Sequence, residues 1–132
     1  VTLAEIRAAV LERDGYQCAR CGRPCVYDHS IHHRILGNRK DMRASNLVTL
    51  CGSGTTGCHG WVHAHPTLAQ DDGYIVSKFH KAQDTPDIPV VYGAANGRIA
   101  GWYALADNMT VQAWGESFKL EAEEGSRAAR NT

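Results

Sequence analysis

No run of this chain approaches the roughly 18 consecutive apolar residues that a bilayer-spanning helix needs, which argues against a membrane protein. Its first residues show no basic segment followed by an apolar stretch, so a secretion leader is not expected and the chain reads as soluble, cytoplasmic and not secreted. Surplus charge is missing too: 14 Lys and Arg balance 14 Asp and Glu. A chain that binds a polyanion by bulk charge is strongly basic, so any such contact here must be local. Residues 1–50 carry 8 basic against 5 acidic side chains, and the remainder 6 against 9, so the first half is where a polyanion is expected. No internal repeat is present. A length of 132 residues with 43% hydrophobic content suits one domain with a modest core.

The five cysteines are an odd number, and with no secretion leader expected they argue against a disulfide framework and for metal binding. Cys18-x2-Cys21 followed by Gly22 has the spacing of a zinc knuckle, where a turn aims two thiolates at one ion and glycine relieves the backbone. Cys51 and Cys58 supply the second pair. Six residues separate them instead of the usual two to four, and the insert "GSGTTG" is flexible enough to absorb the difference. The expected structural Zn²⁺ site is therefore Cys18, Cys21, Cys51 and Cys58, with Cys25 spare. Cys25 could replace one of the four, or some thiols could be plain buried apolar groups. A finger built from Cys18, Cys21, His59 and His63 is conceivable, but the gap between its halves is too long.

Along the chain, Thr2-Leu3-Ala4-Glu5 reads as a capping box, and Leu3, Ile6 and Val10 share one face of a helix ending near Asp14-Gly15. Val26 to Ile35 has strand composition, as does "NLVTLC", and the polar loop "GNRKDMRAS" between them suggests a β-ribbon with a basic tip. Cys58 to Ala64 predicts a helix capped by Thr55 or Thr56, with Pro66 ending or kinking it. "GYIVSKF", "IPVVYG" and "GWYALAD" predict small strands or extended segments, and "ESFKLEAEEGSRAARNT" a helix fraying into a tail.

"HSIHHRI" places three histidines within five residues, and histidine is both a common metal ligand and a general base near neutral pH. His59 and His63 lie four apart on the predicted helix, so their rings can chelate one ion. The strand offers a third ligand in His32 or His33. Adjacent strand residues point to opposite faces, so one binds and its neighbour is left for chemistry, provided local twist brings it back toward a substrate.

These blocks, "CARCG", "IHHR", "SNLVTLC", "GCHGWVHAHP" and "GYIVSKF", run from Cys18 to about Phe79 and resemble the HNH endonucleases, more narrowly the zinc-knuckle HNH proteins of tailed phages. The resemblance implies an α+β, ββα-metal (His-Me finger) fold. Residues 1–84 would form the nuclease core, with 85–132 a C-terminal extension packed on it. It also implies that His33 is the general base, that His32, His59 and His63 hold a catalytic divalent ion, and that Asn46 pins the loop between the strands. Relatives often carry an acidic residue where this chain has Ser30, with Asp28 as a possible substitute. Relatives also often work beside the phage large terminase subunit, which makes that protein a candidate partner, in the host cytoplasm.

The implied activity is hydrolysis of DNA phosphodiesters to 5′-phosphate and 3′-hydroxyl ends. Neutral imidazole ligands suit Zn²⁺, Ni²⁺, Co²⁺ or Mn²⁺ better than Mg²⁺. Arg34, Arg39, Lys40 and Arg43, on or beside the predicted loop, are the expected phosphate contacts, with Arg34 and Arg43 foremost. His29, His65 and His80 are expected in surface or packing roles, and Trp61 in the core. The rival from another class is a non-catalytic zinc module binding DNA or protein. A homing or restriction enzyme would need longer sequence-reading elements than this length provides.

Overall fold

In the computed structural model, which describes residues 1–79 and 84–115, helix α1 runs Leu3–Arg13, opened by the Thr2 hydroxyl accepting the Glu5 amide at 3.1 Å. Of the expected apolar stripe only Val10 is fully buried, while Leu3 is 56% exposed, because the C-terminal end of α1 packs into the core and its N-terminal end borders an open cavity. That end is tied down by charge. Arg13 donates to the carbonyls of Ala44 and Leu47, and the Asp14 carboxylate accepts from the Thr49 amide and the Tyr92 hydroxyl.

Strands β1 (His29–His33) and β2 (Leu47–Cys51) form an antiparallel ribbon with His32 opposite Val48 and His33 opposite Leu47. β1 begins three residues later than composition suggests, since Cys25 to Asp28 closes a turn instead. Leu47 to Leu50 are buried on both faces, because α1 and helix α2 (Gly57–Ala64) both pack on β2. Pro66 does not merely end α2. It occupies the first turn of a new helix, α3 (Pro66–Asp71), where its missing N–H costs nothing.

"GYIVSKF" is an extended segment outside any sheet, held by the Val76 amide donating to the Arg34 carbonyl and by the Tyr74 hydroxyl donating to Val91. Strands β3 (Val90–Tyr92), β4 (Gly101–Leu105) and β5 (Val111–Ala113) then form an antiparallel meander. This sheet joins the same core as the ribbon: Val90, Tyr92, Tyr103 and Leu105 pack in one cluster with Cys18, Val48, Cys58 and Val62. The Gly93 amide donates to the Ala19 carbonyl at 2.7 Å, and a Cβ at Gly93 would stand 2.1 Å from the Arg20 carbonyl oxygen, so only glycine allows this approach. Among the described residues no helix is long and apolar enough to cross a membrane. The expected C-terminal helix and His80 lie outside the described residues.

Two of the expected phosphate-binding arginines are corrected by the structure. Arg34 is fully buried and donates to four carbonyls, those of Gly73, Ser45, Thr85 and Ile88, at 2.6 to 3.0 Å. It ties three other chain segments to its own and cannot reach a phosphate. Arg43 is paired with Asp41 and Asp84, which offset its charge. Arg34→Met leaves the four carbonyls without that donor, at about 1–3 kcal/mol for each one left unsatisfied. A total loss above about 3 kcal/mol is expected in urea unfolding. A change within about 0.5 kcal/mol, as for a surface charge, would overturn the assignment.

Candidate metal centres

The first centre grows from two turns. The Gly22 amide donates to the Cys18 carbonyl at 2.9 Å, closing the first knuckle. Gly22 has φ +77°, where a side chain is strained and a Cβ would strike the Ala94 carbonyl. On the other side the insert folds back, and the Cys58 amide at the start of α2 donates to the Cys51 Sγ at 3.4 Å. One sulfur from each of Cys18, Cys21, Cys51 and Cys58 then lies within 4.8 Å of the others, an arrangement that can hold a metal ion. Cys21 and Cys51 Sγ are 3.8 Å apart. Tetrahedral zinc with Zn–S bonds of about 2.3 Å sets S···S edges of about 3.8 Å, so the spacing fits.

Within the cluster the Cys21 thiol is pulled below its ordinary range by hydrogen bonds from Cys18 and Cys58, and Cys18 is pushed up, chiefly by its bond to Cys21. Cys25 stays outside the group, buried, with its thiol raised to about 11 by burial.

The second cluster joins β1 to α2. His32, His59 and His63 each bring a ring nitrogen within 4.8 Å of the other two, and the Nε2 atoms of His59 and His63 face each other at 3.0 Å. His32 is buried and its Nε2 donates to the Tyr74 carbonyl at 2.7 Å. A carbonyl can only accept, so Nε2 carries the proton and Nδ1 keeps its lone pair for a metal, with the Tyr74 carbonyl orienting the ring. His59 Nδ1 is buried with no hydrogen-bond partner among the described residues.

Burial pulls His32 down to about 3, with the Tyr74 carbonyl partly opposing. Burial also lowers His59, assisted by His63. These rings are therefore neutral near pH 7, the form that binds metals. Because the folded value of His32 lies below the unfolded 6.5, the unfolded chain binds the extra proton. The stability this confers is complete above about pH 6.5 and is lost as pH falls toward 3. Between pH 7 and 5 the wild type, with no ion on its three imidazoles, should lose about 2 kcal/mol more than His32→Asn in denaturant unfolding. Equal losses would show that His32 does not fold as a buried neutral ring.

His33 is half-buried, with its Nε2 3.3 Å from the Met42 Sδ. It does not join the three-imidazole group, yet it lines the same cavity of about 420 Å³ as His32, His59 and His63. Strand alternation alone would separate the two neighbours, yet both line the cavity. Burial, with the charges of Arg7 and Arg39, lowers His33 against an opposing bond to the Arg39 backbone. Asn46 is fully buried and holds both arms of the loop: its Oδ1 accepts the Ile35 amide at 2.9 Å and its Nδ2 donates to the Asp41 carbonyl at 3.0 Å.

Arg39 lines the cavity and Lys40 is exposed nearby in sequence. Ser30 is not among the residues that line the cavity; its hydroxyl donates to the Gly52 carbonyl, bracing the knuckle insert. The Asp28 carbonyl accepts the Gly52 amide and supports the same insert. His29 Nδ1 holds the carbonyls of Cys25 and Val26, and His65 stacks on Trp61. Trp61 is partly buried against the core.

Sequence reasoning overlooked Arg7, Leu3 and Met42, all of which line the cavity. The spacing of Leu3 and Arg7 puts them on one helical face and could have linked them, but nothing in the sequence says that face overhangs the histidines. The Tyr74 carbonyl is a backbone atom and carries no sequence signal.

The fold and clusters define a small mixed α+β protein with four convergent cysteines suited to a metal ion. No family model, curated protein or solved structure matches the chain.

Proposed function

We propose that this protein is a metal-dependent DNA endonuclease of the HNH type. The observation that carries the reading is the meeting of three imidazoles, from β1 and α2, in a cavity that a fourth, His33, lines without joining them. A ligand set with a separate base beside it is what water-dependent phosphodiester hydrolysis needs. The order β1, β2, α2, with Asn46 at the entry to β2, agrees with the ββα-metal arrangement. The cavity lining includes Arg7 and Arg39 and no carboxylate among the described residues, which favours an anionic substrate.

In this reading His33, neutral near pH 7, accepts a proton from a water in line with the scissile bond, while Asn46 fixes the loop packed over the ring. His32, His59 and His63 hold the divalent ion, and when bound it supplies Lewis-acid stabilisation of the leaving 3′ oxygen. Arg39 and Arg7 steer the DNA backbone, in place of Arg34 and Arg43. The products are 5′-phosphate and 3′-hydroxyl ends. The setting proposed with the resemblance is phage DNA processing, with the large terminase subunit as partner.

The test is plasmid nicking with Mn²⁺, Ni²⁺, Co²⁺, Zn²⁺ and Mg²⁺ in turn. Wild type should convert supercoiled to open-circular DNA with at least one of the softer ions. If wild type and His33→Ala are equally inactive in all five, the nuclease reading fails and a non-catalytic zinc module takes its place.

A further inference from the structure

Arg20 sits inside the first knuckle, between Cys18 and Cys21, and only 4% of it is exposed. Its guanidinium carbon lies 3.6 Å from the centroid of the Trp61 ring, and its Nη1 is 3.5 Å from the Cys58 Sγ. Among the described residues Nε and Nη2 have no hydrogen-bond partner, and the three ion pairs found there do not involve Arg20. A guanidinium taken out of water in this way needs a compensating negative charge. Cys58 and Trp61 are three residues apart on α2 and so share one face, and Arg20 spans both. Its backbone is held by the close approach of Gly93.

The missing charge is available next to it. Four thiolates around one divalent cation leave a net charge of −2, and the Cys58 sulfur at the Arg20 fork would carry part of it. We propose that Arg20 is the charge partner of the four-cysteine metal centre: it donates to the Cys58 thiolate, offsets half the excess charge and holds that sulfur toward the ion. The inference rests on the metal reading of the cysteines and is independent of the nuclease reading. Arg20 is a positioning residue. It would tighten metal binding and make Cys58 a poorer nucleophile, since a sulfur lone pair engaged by a cationic donor is less available to attack.

The experiment uses the full chain, stripped of metal under reducing conditions. Co²⁺ is titrated while the cobalt–thiolate absorption is read, and Zn²⁺ affinity follows by competition with a chromophoric chelator. Arg20→Met keeps much of the bulk over Trp61 and removes the charge. It should bind Zn²⁺ about 10- to 100-fold more weakly than wild type, the usual effect of removing an outer-shell partner, and its Cys58 should alkylate faster in the zinc-loaded form. Arg20→Lys keeps the charge and should stay within a few-fold of wild-type affinity. Wild-type affinity in Arg20→Met overturns the proposal and leaves the metal site standing. Equal weakness in Arg20→Lys and Arg20→Met assigns Arg20 to stacking alone and overturns it too. Should Arg20→Met fail to fold, Arg20→Lys decides on the same criterion, since weak binding there refutes the charge role. A wild type with no cobalt–thiolate absorption refutes both the cysteine centre and its partner.

Discussion

On the proposed nuclease reading, replacing His33 with alanine should lower the rate of metal-dependent DNA nicking by about 10²- to 10⁴-fold, the range a positioned general base contributes. The effect falls on chemistry, because His33 stands outside the three-imidazole group. Metal affinity at His32, His59 and His63 should therefore stay at the wild-type level in a calorimetric titration, while His59→Ala, which removes a ligand, loses both metal and activity. The fold should tolerate the change: His33 is half-buried at the end of β1, and its Nε2 meets only the weak acceptor Sδ of Met42.

The pH profile gives the same answer from another direction. A base works when neutral, and burial lowers His33 below its ordinary 6.5, so the wild-type rate should climb as pH rises through the acid range and level off before neutrality. His33→Ala should lack the part of that limb which belongs to the base. A His33→Ala enzyme that keeps more than about a tenth of wild-type activity, with an unchanged profile, would remove His33 from the mechanism.

Removing metal from the four cysteines should have the largest effect on stability. Structural zinc contributes about 10–16 kcal/mol in small zinc-dependent folds, and a domain of this size is stable by only about 5–15 kcal/mol in total. Here the site joins the loop after α1, the end of β2 and the start of α2, three pieces that share the core with the C-terminal sheet. Stripping with a strong chelator under reducing conditions, or Cys51→Ser, should lower stability by more than about 5 kcal/mol and abolish the cooperative melting transition seen by circular dichroism. Cys25→Ser should leave metal stoichiometry unchanged, since Cys25 stands outside the group. A chelated protein that melts at the same temperature as the loaded one would show that the cysteines carry no structural ion.

The cysteine and histidine clusters were legible because such pairs are local in type and short in spacing. Cys18 and Cys21 sit three apart and His59 and His63 four apart, and those intervals fix relative direction through a turn and a helix. The Thr2 cap, the ribbon and α2 were legible for the same reason: each is set by neighbours within a few residues. Pro66 was read as a stop, and its role as a start was missed, because either outcome depends on whether residues beyond it find something to pack on.

What the sequence by itself determined is which side chains can ligate, which can titrate and which stretches pair. Only the tertiary structure decided which cations are free. Arg34 and Arg43 look alike along the chain, beside a basic loop; in the fold one is enclosed by four carbonyls and the other is paired with two carboxylates, while Arg7, 25 residues or more from any histidine in the cavity, lines it. The same holds for Arg20, whose place beside Cys58 and Trp61 comes from the packing of the knuckle on α2. Charge is written in the sequence, but its consequence depends on burial and on partners brought from far along the chain, and no local spacing encodes either.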